Sequence, residues 1–336
     1  MHILSGDIGG TSTRLMLAEI NQTDQSYHVH YQQIYACGEF PCLEDIMTAF
    51  LSEANCQFKA LHSVCLAIAG PIVQGRVKFT NLPWIIDLTL LKAFFQNEAV
   101  FLINDFEAIG YGVPTLVQED MVTLQAGKPA KNKPRSLVGA GTGLGIALVH
   151  QINDQYIISA TEGGHVDFAP VNDTQIALLQ YLRQTLPRVS IERLVSGQGI
   201  VNIYHFVRNV LLADSQIPEP DTLRQAADNQ TLSAEIISHY AVEAQDPYAI
   251  HAIDLFICIY GAIAGDLALT TLPYGGLYIV GGIAPKLKDQ MLDGRFMANF
   301  HTKGRVSNLL NMIPVYLVMD PLIGLKGAAN YAKQHS

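Results

Sequence analysis

Several short segments of this chain place carboxylates beside glycines and hydroxyl side chains. The first, Asp7–Arg14, reads Asp-Ile-Gly-Gly-Thr-Ser-Thr-Arg. Its glycines let backbone amides approach a phosphate, and its hydroxyls add hydrogen-bond donors. The candidate phosphate ligands are Gly9, Gly10, Thr11, Ser12 and Thr13. Asp7, at a strand end, is a candidate to hold Mg²⁺ through water, although a tight turn with a capping aspartate has the same pattern.

Two familiar phosphate-binding motifs do not describe this segment. The P-loop pattern Gly-x-x-x-x-Gly-Lys-Ser/Thr is absent from the chain. A dinucleotide-binding fingerprint requires a helix after the glycines, whereas Leu15–Ile20 has the composition of a strand. The glycine run is therefore expected to connect two strands.

Two further glycine segments could approach a nucleotide. Gly139–Gly145 reads Gly-Ala-Gly-Thr-Gly-Leu-Gly and forms a second amide-rich loop around Thr142. A glycine pair follows the predicted buried strand Leu277–Val280, where missing side chains would admit adenine or ribose. The candidate ligands here are Gly141, Thr142, Gly143, Gly281 and Gly282. Each segment alone is equally typical of an ordinary turn, and the order of the segments along the chain gives them weight.

A carboxylate follows a second buried strand. The run Asn104-Asp105-Phe106-Glu107 comes directly after Val100–Ile103. Open α/β sheets bind ligands at the carboxyl ends of their strands, so Asp105 is the candidate catalytic carboxylate. N-capping of the following helix would explain an aspartate here equally well.

A third cluster, Glu162–Asp167, surrounds a Gly-Gly turn with two carboxylates and His165. These side chains suit a metal ion, the hydroxyls of a sugar, or simply a polar turn. No cysteine or second histidine lies nearby in the sequence, which disfavours the metal. Glu192 is a further carboxylate, with the alternative of a surface salt bridge to Arg188 or Arg193.

Hydrophobic periodicity predicts a repeated framework beneath these motifs. An antiparallel meander is predicted over Ile3–Leu4, Leu15–Ile20 and Tyr27–Tyr31, with a polar turn over Asn21–Ser26. The strand–glycine turn–strand unit recurs over Ser136–Val138 and Ile146–His150, after a polar linker at 125–135. Two such hairpins, one in each half, predict two related lobes with a cleft between them.

Strands and helices alternate elsewhere. A helix over 88–95 separates the strands Val64–Ala69 and Val100–Ile103, which predicts a parallel portion of sheet. Four long helices are predicted over 172–186, 197–213, 222–245 and 248–271. After a final strand, Val315–Met319, the pair Asp320-Pro321 supplies an N-cap and an N1 proline for a last helix.

Composition limits the classes of function. At 336 residues, 49% of them apolar and 15% charged, the chain suits two well-buried domains. The net charge of −9 argues against a nucleic-acid partner, so an anionic ligand must be held locally. The five cysteines include no Cys-x-x-Cys pair, which predicts reduced thiols rather than disulfides. The longest apolar run, Leu255–Gly265, is too short for a membrane span. Together with the absence of a signal peptide pattern, these features predict a cytoplasmic protein.

Taken together, these motifs resemble the bacterial glucokinases, in the hexokinase branch of the sugar kinase, Hsp70 and actin superfamily. The resemblance covers essentially the whole chain. It rests on Gly6–Arg14, Thr80-Asn81 with Trp84, Ile103–Ala108, Gly139–Ala147, Glu162–Pro170, Glu192–Gly197 and Gly276–Pro285. It implies an α/β, two-lobed actin-like ATPase (ribonuclease H-like) fold with a mixed sheet in each lobe. The implied domains are 1–115 plus 319–336, and 116–318.

The resemblance also implies roles. Asp105 would be the general base on the 6-hydroxyl of glucose, and Asn104, Glu162, His165 and Glu192 would bind the other hydroxyls. The loops Gly9–Thr13 and Gly141–Gly145 would hold the phosphates of ATP, with Asp7 near Mg²⁺ and with Gly281 and Gly282 lining the adenosine pocket. Related enzymes are often homodimers. Kinases of the repressor/ORF/kinase group carry a cysteine-rich zinc motif after the histidine, but 166–200 contains no cysteine, so no zinc is expected.

Other functions remain open at this point. A hexokinase specific for mannose or N-acetylglucosamine would use the same residue types. A sugar-sensing regulator on an inactive kinase fold and an actin-like filament protein are non-enzymatic alternatives. The inactive regulator is disfavoured because the chain retains Asp105, Asp7 and both glycine loops. The filament protein is disfavoured by the pairing of Glu162 with His165.

Overall fold

The computed structural model of the chain describes residues 2–21, 27–79, 82–153 and 155–336. Within these residues the strands are β1 His2–Ile8, β2 Ser12–Ile20, β3 Tyr27–Ala36, β4 Leu61–Ile68, β5 Arg76–Lys78, β6 Ile85–Asp87, β7 Val100–Asn104, β8 Met121–Gln125, β9 Arg135–Ala140, β10 Leu144–Ile152, β11 Gln155–Thr161, β12 Gly276–Val280 and β13 Val315–Val318. The α-helices are α1 Leu43–Glu53, α2 Leu88–Phe95, α3 Asp105–Gly112, α4 Asp173–Leu182, α5 Gly197–Phe206, α6 Asp221–Asp228, α7 Ala234–Val242, α8 Pro247–Thr271, α9 Lys288–Leu292, α10 Arg295–His301, α11 Ser307–Leu310 and α12 Ile323–His335. The Thr80-Asn81 pair and all but Asn21 of the predicted turn Asn21–Ser26 lie outside the described residues.

The chain divides into two compact units. The first comprises Met1–Gln118, Gln151–Ala160 and Asp320–Ser336, and the second comprises Glu119–His150 and Thr161–Met319. Each unit carries a mixed β-sheet together with helices, which confirms the predicted α/β, two-lobed class. The predicted domains, 1–115 plus 319–336 and 116–318, stay a prediction.

The sheet of the first unit has the strand order β3-β2-β1-β4-β7. β1, β2 and β3 are antiparallel neighbours, whereas β4 and β7 run parallel to β1. Side chains alternate between the two faces, so Leu4 packs with α1 and α2 while Ile3 packs with α3 and α12. Because β1 and β7 are parallel, their carboxyl ends bring Asp7 and Asn104 to the same edge of the sheet.

The sheet of the second unit repeats this arrangement. Its order is β11-β10-β9-β12-β13-β8, in which β9 and β10 form an antiparallel hairpin and β12 and β13 run parallel to β9. All of β11 except Thr161 is counted with the first unit. The first five strands therefore follow the order found in the first unit, which confirms the internal repeat predicted from the two glycine turns. The helices α5, α7, α8 and α10 supply side chains to the core of this unit.

The longest helix, α8, lies in the core of the second unit. Asp246 accepts a hydrogen bond from the Ala249 amide at 2.9 Å, and Pro247 occupies the first helical position, so the helix start is well specified. By length and composition α8 could span a membrane, because one 18-residue window has a mean hydropathy of 1.8. In that window 61% of the residues are buried inside the protein. The apolar run Leu255–Gly265 lies inside this helix between Asp254 and Asp266, and burial in a protein core accounts for the apolar character.

Several predicted boundaries were wrong for local reasons. β1 extends through Gly6 to Ile8. A Cβ added at Gly6 would lie 2.8 Å from the Leu66 side chain, so this glycine permits close packing within the sheet. The predicted helix 222–245 is two helices, α6 and α7, since Gln230 adopts a left-handed φ of 56° and Ser233 caps α7. The last helix begins at Ile323, and Asp320 accepts the Leu322 amide before it. β3 extends five residues beyond its predicted end at Tyr31, and the helix predicted over 197–213 is α-helical only to Phe206, followed by a π-helical turn over Val207–Leu211. Other ends moved by one to four residues, and β5, β6, β8 and β11 were not predicted.

The cysteines match the sequence expectation. The described residues include all five cysteines, and none of them forms a disulfide. Cys37 and Cys65 are buried, and burial raises the pKa of the Cys65 thiol well above its ordinary value. These side chains therefore behave as small apolar core residues.

The contact between α3 and α12 generates a stability prediction. A Cβ added at Gly327 would lie 1.7 Å from the Ala108 carbonyl oxygen, whereas one at Gly324 would lie 3.9 Å from its nearest neighbour. Gly327→Ala should therefore force the helices apart and lower the free energy of unfolding by about 1–3 kcal/mol. Gly324→Ala, in the same helix, should be neutral or stabilising by up to about 1 kcal/mol through helix propensity. Urea unfolding of both variants measures this, and equal stability would contradict the packing argument.

Candidate functional site

Asp105 is the first residue of α3, directly after the last residue of β7. The Asn104 side chain caps the helix, because its Oδ1 accepts the amides of Phe106 at 2.9 Å and Glu107 at 3.3 Å. One carboxylate oxygen of Asp105 also accepts the Phe106 amide, at 2.8 Å. The capping role considered for Asp105 therefore belongs chiefly to Asn104, although one Asp105 oxygen also accepts the Phe106 amide.

Two carboxylates share the edge of the first sheet. Burial raises the pKa of Asp105, and the nearby Asp7 carboxylate raises it further, while the Phe106 amide and the Asn104 side chain oppose both effects. Burial also raises the pKa of Asp7, against the lowering effect of Arg14, its partner across β2. A half-buried carboxylate with a raised pKa is the environment expected of a general base.

The first glycine turn, 9–13, is closed by its own main chain and by Cys37. The Gly9 amide donates to the Ser12 carbonyl at 3.0 Å, and the Cys37 amide donates to the Thr11 carbonyl at 2.9 Å. Thr11 is exposed and Ser12 half-buried, so their hydroxyls can reach a ligand. The Thr13 side chain is fully buried, with its Oγ1 3.4 Å from Cys37 Sγ. Of the three hydroxyls predicted as phosphate donors, the Thr13 hydroxyl therefore lies in the core, beside Cys37.

The second unit brings Glu162, His165 and Glu192 together. His165 Nε2 lies 3.6 Å from Glu162 Oε2, and His165 Nδ1 lies 3.8 Å from Glu192 Oε1. Their side chains are 89%, 54% and 27% exposed, respectively, so all three are accessible to a ligand. Such a group of acceptors and donors suits the hydroxyls of a sugar.

A short main-chain ladder brings these three residues together. The Ile191 amide donates to the Val166 carbonyl at 2.9 Å, and the Phe168 amide donates to the Val189 carbonyl at 3.0 Å. Arg188 donates to the His165 carbonyl at 2.6 Å and to Asp167 at 3.0 Å. Arg188 therefore stabilises the turn that carries His165, and its predicted alternative partner, Glu192, faces His165 instead.

The second glycine loop, 141–145, is fixed at both ends. The Gly141 amide donates to the Gly143 carbonyl at 2.9 Å, and the Gly197 amide donates to the Gly141 carbonyl at 2.8 Å. The Leu144 amide donates to Glu192 Oε2 at 3.0 Å. These bonds hold the loop against the start of α5.

A cavity of about 420 Å³ lies beside this loop. Its lining includes Gly141, Thr142 and Gly282, which unites three of the predicted nucleotide ligands. Gly281 is not among the lining residues, but its φ is 87° and an added Cβ would lie 2.4 Å from the Ala140 carbonyl oxygen, so only glycine fits there. A second cavity, also about 420 Å³, is lined chiefly by aliphatic side chains of β10 and α8 and by none of the predicted ligands.

Sequence reasoning missed several residues of these sites. Ser233, Glu235 and Lys286 line the nucleotide-sized cavity, and Lys286 is an exposed cation that could meet a phosphate. The only sequence signal for Lys286 was its position four residues after the glycine pair. Gly164 was also missed, although an added Cβ there would lie 2.1 Å from the Leu144 carbonyl oxygen.

The raised pKa of Asp105 predicts a pH-dependent stability effect. A carboxyl group that binds its proton more tightly when folded contributes stability that is complete below its ordinary pKa and is lost as pH rises through the folded value. Asp105→Asn removes the ionised form, so it should raise Tm at pH 7, and the gain should shrink towards pH 5. Thermal melts across this range measure the effect, and Asp214→Asn, at an exposed aspartate, should leave Tm unchanged. A lower Tm for Asp105→Asn at pH 7 would contradict the assignment.

Known proteins resemble the whole chain. A family model described as glucokinase matches residues 4–335. A glucokinase from Nostoc sp. strain PCC 7120 is 43% identical over 97% of both chains. A crystal structure of a glucokinase from an Antarctic psychrotroph is 32% identical, covers 99% of both chains and has a TM-score of 0.85. A glucokinase of the ROK family from Streptomyces griseus, solved with glucose and AMPPNP, shares the fold with a TM-score of 0.65 at 17% identity. The chain belongs to the glucokinase family.

Proposed function

We propose that this chain transfers the γ-phosphoryl group of ATP to the 6-hydroxyl of D-glucose, with Asp105 as the general base. The observation that carries the proposal is the Asp105 carboxylate at the carboxyl end of β7, half-buried and relieved of the capping role by Asn104. Membership of the glucokinase family supports glucose as the substrate, and the relative solved with AMPPNP supports ATP as the donor.

The proposed reaction needs one proton acceptor. As the 6-oxygen of glucose forms its bond to the γ-phosphorus, the bond from that phosphorus to the bridging oxygen of ADP breaks. The hydroxyl proton passes to the Asp105 carboxylate. Because a primary hydroxyl is a poor nucleophile at neutral pH, a carboxylate within hydrogen-bond reach speeds this step, and alignment of the reactants supplies most of the remainder.

Four residues would bind the sugar hydroxyls: Asn104, Glu162, His165 and Glu192. Carboxylates accept hydrogen bonds from hydroxyl groups, and the His165 ring can donate or accept. The distances of 3.6 and 3.8 Å leave Glu162, His165 and Glu192 within reach of one small polar ligand. Asn104 uses its Oδ1 for the helix cap, so its amide NH₂ is the group it would offer to the sugar.

The nucleotide would be held by main-chain amides. Gly9–Thr13 and Gly141–Gly143 would meet the phosphates, while Gly281 and Gly282 would admit the adenosine. The cavity beside Gly141, Thr142 and Gly282 supports this assignment, and Lys286 adds a cation to its lining. The cavity lies in the volume range that small-molecule sites occupy.

The residues around Asp7 suit Mg²⁺ by the chemistry of their donors. A half-buried carboxylate with the hydroxyls of Thr11 and Ser12 nearby in the sequence is an all-oxygen set, which Mg²⁺ prefers. Among the residues that the structure describes, no group of three or more His, Cys, Asp or Glu side chains could hold a metal ion. Mg²⁺ commonly binds through one or two carboxylates, water and substrate phosphates, and it would neutralise phosphate charge here.

The proposal extends to organisation and class. We place the chain in the hexokinase branch without structural zinc, with domains 1–115 plus 319–336 and 116–318, and as a cytoplasmic homodimer. The unit boundaries at Gln118 and Met319 lie close to those of the domain proposal, whereas Gln151–Ala160 belongs to the first unit and departs from it. A hexokinase with another sugar preference and a non-catalytic sugar sensor are the competing functions, and neither has an observation in its favour.

The role of Asp105 predicts a specific kinetic pattern. Asp105→Asn keeps an oxygen that can accept the Phe106 amide but cannot accept a proton from glucose, so kcat should fall roughly 10²–10⁴-fold. Glucose affinity should change less, because an amide still hydrogen-bonds to a hydroxyl. The measurements are kcat and the Kd for glucose.

Glu107→Gln is the matched control, since it neutralises a second half-buried carboxyl in the same helix. Its kcat should stay within a few-fold of the wild-type value. A folded Asp105→Asn variant with near-wild-type kcat would remove Asp105 from the mechanism. Equal losses in both variants would mean that the effect comes from helix α3 as a whole.

The metal content of the protein tests the zinc prediction. Purified protein stripped of Mg²⁺ should contain no stoichiometric zinc, because His165 lies between two carboxylates and no cysteine follows it over 166–200. Elemental analysis measures this directly. About one zinc per chain, lost in His165→Ala, would refute the assignment of His165 to the sugar.

A further inference from the structure

Glu192 touches both proposed ligand sites of the second unit. Its Oε2 accepts the Leu144 amide at 3.0 Å, at the end of the glycine loop 141–145. Its Oε1 faces His165 Nδ1 at 3.8 Å, in the proposed sugar site. A hydrogen bond from an amide to a carboxylate is stronger than one between neutral groups, so Glu192 joins the two sites firmly.

Two glycines make this arrangement possible. A Cβ at Gly143 would lie 2.6 Å from Glu192 Oε2, and one at Gly164 would lie 2.1 Å from the Leu144 carbonyl oxygen. Leu144 is therefore enclosed on its amide side by the carboxylate and on its carbonyl side by the turn that carries His165. If that turn moves, the end of the glycine loop must move with it, because protein interiors are close-packed and neighbouring groups cannot shift independently.

The same segment also fixes the other end of the loop. The Ser196 hydroxyl, fully buried, donates to the Glu192 carbonyl at 2.7 Å and accepts the Gly199 amide at 3.0 Å. The next residue, Gly197, donates its amide to the Gly141 carbonyl at 2.8 Å. Residues 192–197 thus hold the glycine loop at Gly141 and at Leu144.

We propose that Glu192 is a positioning residue that couples the two substrates, so that glucose bound beside His165 strengthens nucleotide binding at the loop 141–145. The proposal rests on the proposed function and extends it. Because Glu192 is hydrogen-bonded to the Leu144 amide, a sugar that sets the position of Glu192 also sets the position of the end of the loop, so both ligands can favour the same arrangement. By linkage, the nucleotide must strengthen glucose binding by the same factor.

Glu162 offers a matched comparison. It also faces His165, at 3.6 Å, but its side chain is 89% exposed and makes no hydrogen bond to the glycine loop among the described residues. Removing its charge should weaken glucose binding without touching the connection to Leu144. Glu162 and Glu192 therefore separate the affinity for sugar from the coupling between sites.

The test is calorimetric titration of AMPPNP with Mg²⁺, with and without saturating glucose. In the wild-type protein the Kd for AMPPNP should fall by a factor within the range of about 5–150 that is typical of such coupling. Glu192→Ala should bring the factor close to one. Glu192→Gln, which keeps a neutral acceptor for the Leu144 amide, should give an intermediate factor and serves if the alanine variant does not fold. Glu162→Gln should keep the wild-type factor despite weaker glucose binding.

Each outcome discriminates. A wild-type factor near one, or an unchanged factor in both Glu192 variants, would overturn the coupling while leaving the proposed function intact. If Glu162→Gln loses the coupling to the same extent, the coupling would depend on glucose binding in general and not on Glu192, and the proposed role of Glu192 would be overturned. Failure of the wild-type protein to bind either ligand would overturn the proposed function and the coupling together.

Discussion

The hydrogen bond from the Leu144 amide to Glu192 organises the second unit. It joins the start of β10 to the segment before α5, across 48 positions of the chain. The bond can form only because Gly143 has no side chain to displace the carboxylate. The short ladder between 166–168 and 189–191 then sets Glu192 opposite His165. The carboxylate is only 27% exposed, so one of its oxygens would lack a partner if the Leu144 amide moved away.

The first unit presents a different constraint, which is electrostatic. Parallel strands bring Asp7 and the start of α3 to one edge of the sheet, and both Asp7 and Asp105 are partly withdrawn from water there. Burial and mutual repulsion raise the pKa of Asp105, which costs folding stability at neutral pH. The same effects make the carboxylate a better proton acceptor, so stability and reactivity oppose each other at this position. Bound Mg²⁺ beside Asp7 would relieve part of the repulsion.

The sequence predicted the framework better than its boundaries. The glycine turns repeat at 9–13 and 141–145 because a strand–turn–strand unit is local, and both hairpins were found where the pattern indicated. The first strand was predicted to end at Leu4, before Gly6, since sequence alone does not reveal that Leu66 and Leu15 pack against Gly6 from neighbouring strands. The prediction of one helix over 222–245 was wrong because Gln230 adopts a left-handed conformation, which helix propensity does not predict.

For the candidate site, too, the sequence predicted residue types better than their spatial arrangement. Residue types predicted Glu162, His165 and Glu192, but only the fold shows that the last two meet across a ladder between distant segments. Thr13 was predicted as a phosphate ligand from its hydroxyl, although strand alternation turns that hydroxyl into the core beside Cys37. Lys286 belongs to no predicted motif, and the sequence does not reveal that Gly164, in the predicted Gly-Gly turn, packs against the Leu144 carbonyl.

Phosphorylation of glucose at the expense of ATP is the reaction proposed for this chain. The most direct measurement is ADP release with ATP and Mg²⁺ over a panel of glucose, mannose, N-acetylglucosamine and 6-deoxyglucose, with the phosphorylated product identified by NMR. We expect rapid ADP release with glucose, formation of glucose 6-phosphate, and no sugar phosphate from 6-deoxyglucose, which lacks the accepting hydroxyl. A higher kcat/KM for mannose or N-acetylglucosamine, or no sugar-dependent ADP release at all, would contradict it.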